Sequence, residues 1–289
     1  MRPFLTLDSD SCEIQPCAGE LNGMVFRSME IVFLGTGTSH GVPMIGCDCK
    51  ICTSENPKNR RTRTSIHVKL DDYAVQVDIS PEFRLQCVAN KIRNIDWVVL
   101  THAHADHVAG MDDLRRFIDF RNGEGIPVYG FPDVLDRMKL MYPYAVRDRP
   151  EFRGYPAFVP HSVERHEVLE FPWGTLETTI LPHGRFEVMG LVFTETSSGK
   201  KFTYYTDCKS VSAVSRELAQ GSDLVVLDGL RHDPHPTHMS IAEAIETAEA
   251  IASPQTYLIH MTHHVDHEEV DASLPQGVNL AYDGLRVQL

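Results

Sequence analysis

The chain is short of tryptophan, with two, and short of positive charge, with 27 Lys and Arg among 289 residues. It also lacks long apolar runs: none approaches the ~20 residues needed to span a bilayer, which excludes a membrane-spanning helix. Against the basic groups stand 40 Asp and Glu, giving a formal net charge of −13. Such a balance argues against broad attraction to nucleic acid or to an anionic membrane. Divalent metals bound among clustered His and Asp would restore positive charge only locally. An export signal is missing too: residues 1–28 carry Asp8, Asp10, Glu13 and Glu20 and no uninterrupted apolar stretch. The expected compartment is the cytoplasm, where seven cysteines read as metal ligands and free thiols rather than disulfides. Heptads, low-complexity segments and short-period repeats are absent as well.

What is present supports one sizeable core, since 42% of residues are apolar. Residues 1–28 have no clear period. They read as a poorly ordered extension or as sequence ahead of the true start, leaving Cys12 and Cys17 without a role. Residues 29–289 then form a single domain. Glu30–Leu34 opens it as a strand, followed by strand-like runs at Ser65–Leu70, Ala74–Ile79, Trp97–Leu100, Leu176–Leu181, Leu191–Glu195, Phe202–Tyr205, Leu224–Leu227 and Thr256–Ile259. Helical patterns fit 81–90, 107–119, 132–141, 211–220 and 240–252. The last has a capping box, Ser240 with Glu243. Two successive blocks of strands then helices predict an α/β fold of two packed sheets with helices outside. Segment 141–166, rich in Pro, Arg and aromatics, reads as an irregular insertion near a site or as a surface loop.

The densest signal is Thr101-His102-Ala103-His104-Ala105-Asp106-His107. Three imidazoles and a carboxylate within six positions, directly after the apolar run Val98–Leu100, are ligands for divalent metals. Their number suggests two metals rather than one, a device for hydrolysing esters and above all phosphate esters. A chance cluster of helix-capping histidines is the bland alternative. Asp78, His183, Asp207 and His260 share one positional character, each a polar residue where an apolar strand ends. Singly each reads as a turn or cap residue; together they read as the rest of a metal site.

Thr-His-x-His-x-Asp-His, with a later His, Asp and His after strands, resembles the metallo-β-lactamase superfamily over residues 29–289. The resemblance implies a four-layer αββα sandwich. It implies His102, His104 and His183 on one metal, Asp106, His107 and His260 on the other, Asp207 bridging them, and Asp78 orienting the site. Asp106 would then also belong to the catalytic machinery. A hydroxide shared by two metals is nucleophilic at neutral pH, and the same cations offset charge on a phosphate oxygen. Aspartate at 207 suits a bridge because a carboxylate has two oxygens. Cys208 is one residue out of register for a thiolate ligand and reads as a buried thiol.

Gly46-Cys47-Asp48-Cys49-Lys50-Ile51-Cys52 is the second strong signal. Three thiols in six residues suit a structural zinc, and a tetrahedral ion wants a fourth ligand, for which His263 and His264 are the choices. A reactive thiol cluster is the alternative. This Cys-x-Cys-x-x-Cys after Phe-Leu-Gly-Thr-Gly-Thr-Ser-His-Gly-Val-Pro, with His-x-x-His near the C-terminus, resembles the PhnP-type phosphodiesterases, close to the ribonuclease Z branch. The resemblance implies two active-site cations (Mn or Zn), a separate zinc on Cys47, Cys49, Cys52 and His263, a small cyclic phosphodiester as substrate and a homodimer. It also implies that His238 assists the leaving group. Independently, His238 sits on a loop just ahead of the Ser240 cap, and imidazole titrates where a proton donor is useful; a plain loop histidine is the competing reading. His232 and His235 share that loop. Arg60, Arg61 and Arg63 could meet a phosphate but read by default as a solvated basic loop.

Three functions compete. A metal-dependent phosphodiesterase acting on a small cyclic substrate is favoured. A ribonuclease Z-like nuclease would need a basic surface or arm, which the net charge of −13 disfavours. A metal-dependent scaffold would be expected to have lost ligands, and the set is full.

Overall fold

Apolar strands bury both faces when sheets stack, and this chain builds two such sheets. The computed structural model describes residues 29–289; the expectations for residues 1–28, with Cys12 and Cys17, lie outside the described residues. The first sheet is built from β1 (Glu30–Gly35), β2 (Ser65–Leu70), β3 (Tyr73–Val77), β4 (Trp97–Val99), β5 (Ile126–Gly130), β6 (Phe158–Ser162) and the C-terminal β14 (Arg286–Gln288), in the order β14-β1-β2-β3-β4-β5-β6. The second is built from β7 (Val168–Phe171), β8 (Gly174–His183), β9 (Phe186–Glu195), β10 (Lys201–Tyr205), β11 (Leu224–Asp228), β12 (Thr256–Ile259) and β13 (Val278–Leu280), in the order β13-β12-β11-β10-β9-β8-β7. Strands β3 to β6 run parallel, as do β10 to β13. The numbering of the two sheets is thus nearly mirrored, and the result is the αββα sandwich.

Period-two alternation decides which side chains meet which layer. On β11, Leu224 and Val226 join the core shared by both sheets, with Ile66, Val68, Val77, Phe193 and Phe202. Val225 and Leu227 face the other way, onto Ile241, Ala244, Ala248 and Ile251 of α6 (Ile241–Ile251). The capping box of α6 is formed as the sequence suggested. Ser240 Oγ accepts from Glu243 N at 3.3 Å, and Glu243 Oε2 accepts from Ser240 N at 2.8 Å. Such a cap contributes about 1 kcal/mol, and here it also fixes the loop that precedes the helix.

The remaining helices are α1 (Phe83–Asn90), α2 (Ala105–Val108), α3 (Arg115–Phe120), α4 (Pro132–Met141), α5 (Ala213–Ala219) and α7 (His267–Asp271). Two expectations need correction. The helix expected over 107–119 is broken into α2, a 3-10 turn at Met111–Leu114, and α3. Gly110 explains the break, because a Cβ there would lie 1.9 Å from Ser80 O, so the chain passes too close to the β3 end for a continuous helix. The segment 141–166 is not wholly irregular, since it carries β6. Pro160 disguised that strand, and β6 tolerates proline because it lies at the sheet edge.

His67, on the face of β2 opposite Ile66 and Val68, is 2% exposed with Nδ1 3.3 Å from Gln76 Oε1. Burial pulls its pKa down to about 4, the bond to Gln76 offsetting only part of the effect. The fold therefore holds His67 neutral where the unfolded chain takes a proton. Stability from this residue is complete above pH 6.5 and falls as pH drops toward the folded value, because the unfolded state then binds more protons. At pH 5 the loss is about 2 kcal/mol. Urea midpoints at pH 7 and pH 5 check this, with His67→Gln expected to lose less stability than the parent by about that amount. The same pH dependence in both proteins would contradict it.

Candidate metal centres

Strand ends carry much of the candidate site, at β3, β4, β10, β11 and β12, which have parallel neighbours, and at the antiparallel β8. Asp78 follows β3, Thr101 and His102 follow β4, His183 ends β8, Asp207 follows β10, Asp228 ends β11 and His260 follows β12. Asp78, Asp207 and His260 have φ of 57°, 51° and 61°. Non-glycine residues seldom adopt that left-handed conformation, and it gathers at functional sites.

The ligand atoms of His102, His104 and His183 lie within 4.8 Å of one another, and those of Asp106, His107, Asp207 and His260 form a second such group. Asp207 Oδ2 joins them: it is 3.2 Å from His107 Nε2, 3.0 Å from His260 Nε2 and 3.9 Å from His102 Nε2. Nε2 of both His107 and His260 is buried without a hydrogen-bond partner. Buried polar atoms are rarely left so. Three imidazoles in one group, and two imidazoles with two carboxylates in the other, are the donor set of a first-row divalent cation. The residues therefore fit a pair of metals. Burial disfavours a charge on His260, but Asp207, Asp106 and Asp228 outweigh it and push its pKa up to about 10. Burial likewise opposes ionisation of Asp207, and the imidazolium groups of His260 and His107 overcome it, holding Asp207 well below the usual carboxylate range.

Asp78 stands behind this group. Its Oδ2 lies 2.7 Å from His107 Nδ1, while its two oxygens accept from Thr101 N and Thr101 Oγ1, both at 2.8 Å. That fixes the ring of His107, the usual task of a carboxylate behind a metal-facing histidine. His183 is oriented through Nδ1, 3.1 Å from Thr237 O.

His238 is 8% exposed, not a solvated loop residue. Its ring stacks on His260 at 4.7 Å and 13°, and meets His183 edge-on at 4.7 Å. Its Nδ1 donates to Asp228 Oδ2 at 2.7 Å, which leaves Nε2 as the free ring nitrogen. The segment is pinned by Met239 N to Cys208 O, Leu230 N to Met239 O and Ile241 N to Arg231 O. Sequence reasoning missed Asp228. The signal was available, since it lies one residue beyond the run Leu224–Leu227, in the strand-end position that marked the other ligands. His235 lies beside His238, ring centroids 5.2 Å apart, with Nδ1 3.2 Å from Thr237 Oγ1. His232 instead lines a cavity beside the cysteine clip.

In that clip, His263 Nδ1 lies 3.2, 3.4 and 3.6 Å from the sulfurs of Cys47, Cys49 and Cys52. Zinc with bonds of about 2.3 Å to sulfur and 2.0 Å to nitrogen, at tetrahedral angles, separates N from S by roughly 3.5 Å. His264 is outside the group, its ring packed on that of His263 at 4.3 Å. Of the two histidines, His263 is the one grouped with the three thiols. The Cys52 amide, donating to Cys49 Sγ, draws that thiol down to about 6 against the opposing effect of burial. Cys49→Ser is expected to cost about one zinc ion per chain and to open segment 38–54 to proteolysis. The buried Cys208→Ser should leave metal content unchanged. Elemental analysis with limited proteolysis checks both, and unchanged zinc in Cys49→Ser would refute the assignment.

The basic cluster differs from its default reading. Arg61 is 1% exposed, donating to Thr262 O and Asn59 Oδ1, and Arg63 pairs with Glu82. Both stitch the loop to the domain and only Arg60 is exposed. Cys208 is buried as expected, its thiol pushed well up by that burial. Among the described residues no helix is long and apolar enough to cross a membrane.

The chain matches the model of the beta-lactamase superfamily domain over residues 73–261. A crystal structure described as a new diphosphatase from the PhnP family superposes with a TM-score of 0.81 at 35% identity, covering 90% of this chain and 98% of that one. Zinc-bound PqqB from Methylobacterium extorquens superposes with a TM-score of 0.73 at 21% identity, over 90% of this chain and all of the other, a likeness of fold. The octanoyltransferase of Porphyromonas gingivalis (strain ATCC BAA-308 / W83) is 35% identical over 260 residues, 89% of this chain and 51% of its own length. The chain thus spans about half the length of that curated relative. By its family model, its coverage of the PhnP-family structure and its identity to it, the chain belongs to the PhnP family within the beta-lactamase superfamily of metal-dependent hydrolases.

Proposed function

We propose that the protein is a metal-dependent phosphodiesterase acting on a small, preferably cyclic, phosphodiester. The observation that carries this is Asp207 Oδ2, set between His107, His260 and His102 so that one carboxylate serves both ligand groups. In this reading His102, His104 and His183 hold one cation, Asp106, His107 and His260 the other, and Asp207 both. When bound, two divalent ions, zinc or manganese, would lower the pKa of a water and offset charge on the phosphoryl oxygens. The chain's own residues do the rest. Asp78 and Thr237 hold the rings of His107 and His183 in orientation. Asp228 fixes His238 through Nδ1, and His238 in its imidazolium form gives the Nε2 proton to the departing alkoxide. Cys47, Cys49, Cys52 and His263 close a structural zinc site, and thiols kept available as ligands fit a reducing compartment.

Nuclease action on RNA is disfavoured by the net charge of −13 and by the use of Arg61 and Arg63 inside the domain. Octanoyl transfer is named for a protein about twice as long, and the thiol adjoining the cluster here, Cys208, is fully buried. The test is a panel on metal-loaded protein: a 2′,3′-cyclic nucleotide, a ribosyl 1,2-cyclic phosphate, bis(p-nitrophenyl) phosphate, a dinucleoside diphosphate and a precursor tRNA. Turnover of the cyclic esters is expected. Activity on the precursor tRNA alone would sink the small-substrate reading.

A further inference from the structure

A carboxylate that serves two groups of ligands has a second oxygen to be accounted for. Asp207 Oδ2 faces His107, His260 and His102, while Oδ1 accepts from Thr206 Oγ1 at 2.8 Å. Both residues are buried. Thr206 thus takes Oδ1 out of the cluster and leaves Oδ2 to it.

The backbone makes this contact possible. Thr206 and Asp207 directly follow β10, and Asp207 has φ 51°. In extended chain, successive side chains point to opposite sides, which would send the carboxylate away from its neighbour's hydroxyl. The left-handed turn at Asp207 brings it back, and an aspartate keeps that conformation only where its surroundings fix it. Beyond the turn, Cys208 N donates to Asp228 Oδ2 at 3.0 Å and Lys209 N to Pro182 O at 2.8 Å, so the far side of the segment is tied as well.

Behind Thr206 stands Tyr204. Its ring belongs to the core shared by the sheets, and period two places Thr206 on the same side of the strand. The phenol oxygen is buried, lies beside the Thr206 hydroxyl, and has no hydrogen bond of ordinary length. The direction of such a chain is set by chemistry. An ionised carboxylate only accepts, so Thr206 commits its one hydrogen to Asp207 and has lone pairs left to fill. The Tyr204 phenol is placed to fill one of them.

Resting on the reading in which Asp207 serves both cations, we propose that Thr206 is a positioning residue for the reaction. It holds Oδ1 of Asp207 so that Oδ2 alone meets the cluster, with the Tyr204 phenol as the donor behind it. Released from that bond, the carboxylate can turn about its last side-chain torsion, a soft one in aspartate, and the ions are held less tightly.

The test is chelator competition on the full, zinc-loaded chain, which reads the cluster ions and the clip ion as separate affinities. Thr206→Val keeps the shape and removes the hydroxyl. It should weaken the cluster ions by about tenfold or more, the range for losing a partner behind a metal ligand, and leave the clip ion within about twofold. Thr206→Ser restores the hydroxyl and should bring cluster affinity back to within about threefold of the parent. Tyr204→Phe removes only the outer donor and should weaken the cluster ions less than Thr206→Val does. Unchanged cluster affinity in Thr206→Val overturns the positioning role. So does a loss that Thr206→Ser shares in full, or one that extends to the clip ion. A Tyr204→Phe protein identical to the parent strikes the phenol from the proposal. If Thr206→Val loosens the cluster ions in a protein that hydrolyses none of the cyclic esters, the phosphodiesterase reading fails and the positioning role stands.

Discussion

Asp207→Ala is expected to lower phosphodiester turnover at least about a thousandfold, because it removes the one group shared by both halves of the cluster. The loss should appear first as metal. Without the carboxylate, the Nε2 atoms of His107 and His260 keep Asp106 as their acidic neighbour, 3.4 and 3.9 Å away. His102, His104 and His183 keep three neutral ligands and no negative charge. Occupancy of the cluster should therefore fall, while the zinc on the cysteine clip stays. Elemental analysis separates the two sites, since the clip ion should persist in Asp207→Ala and be lost in Cys49→Ser. Asp207→Asn keeps the shape and one acceptor oxygen but loses the charge, and should sit between parent and Asp207→Ala in both metal content and rate. A variant of Asp207 retaining both cluster ions and parental turnover would overturn the bridging role.

Much of this site was legible because one physical rule recurs along the chain. Buried parallel strands are apolar to their last residue, so a His or Asp just beyond stands out against Val98-Val99-Leu100, Tyr257-Leu258-Ile259 or Phe202–Tyr205. Applied one residue further along Leu224–Leu227, the rule would have reached Asp228. Edge strands were illegible for the opposite reason. β7 is four residues long, alternates in exposure and carries Glu170, and β6 contains Pro160, so neither has the apolar continuity of a central strand. The broken helix at 105–120 depends on Gly110 meeting Ser80, a contact across 30 positions that periodicity does not encode. The burial of Arg61 rests on Asn59 and Thr262, and three arginines in four positions look solvated until the C-terminal loop folds over them.

His238→Ala is expected to lower kcat by roughly a hundredfold to ten-thousandfold on a cyclic nucleotide ester while leaving metal content intact. The reason is leaving-group chemistry. The alkoxide of a ribose is a poor leaving group and needs a proton as the bond breaks, whereas p-nitrophenolate is stable as an anion near neutral pH. The same variant should therefore lose little on bis(p-nitrophenyl) phosphate. Asp228→Asn probes the support behind the ring: the carboxylate that accepts from Nδ1 at 2.7 Å becomes an amide, and Cys208 N loses a charged acceptor at 3.0 Å. Its loss on the cyclic ester should be smaller than that of His238→Ala, with the same indifference to the activated substrate. The two defects should add less than fully in the double variant, since Asp228 reaches the leaving group through His238. If His238→Ala instead loses metal, or slows both substrates equally, the residue is a ligand or a binding group, and the proton must come from elsewhere.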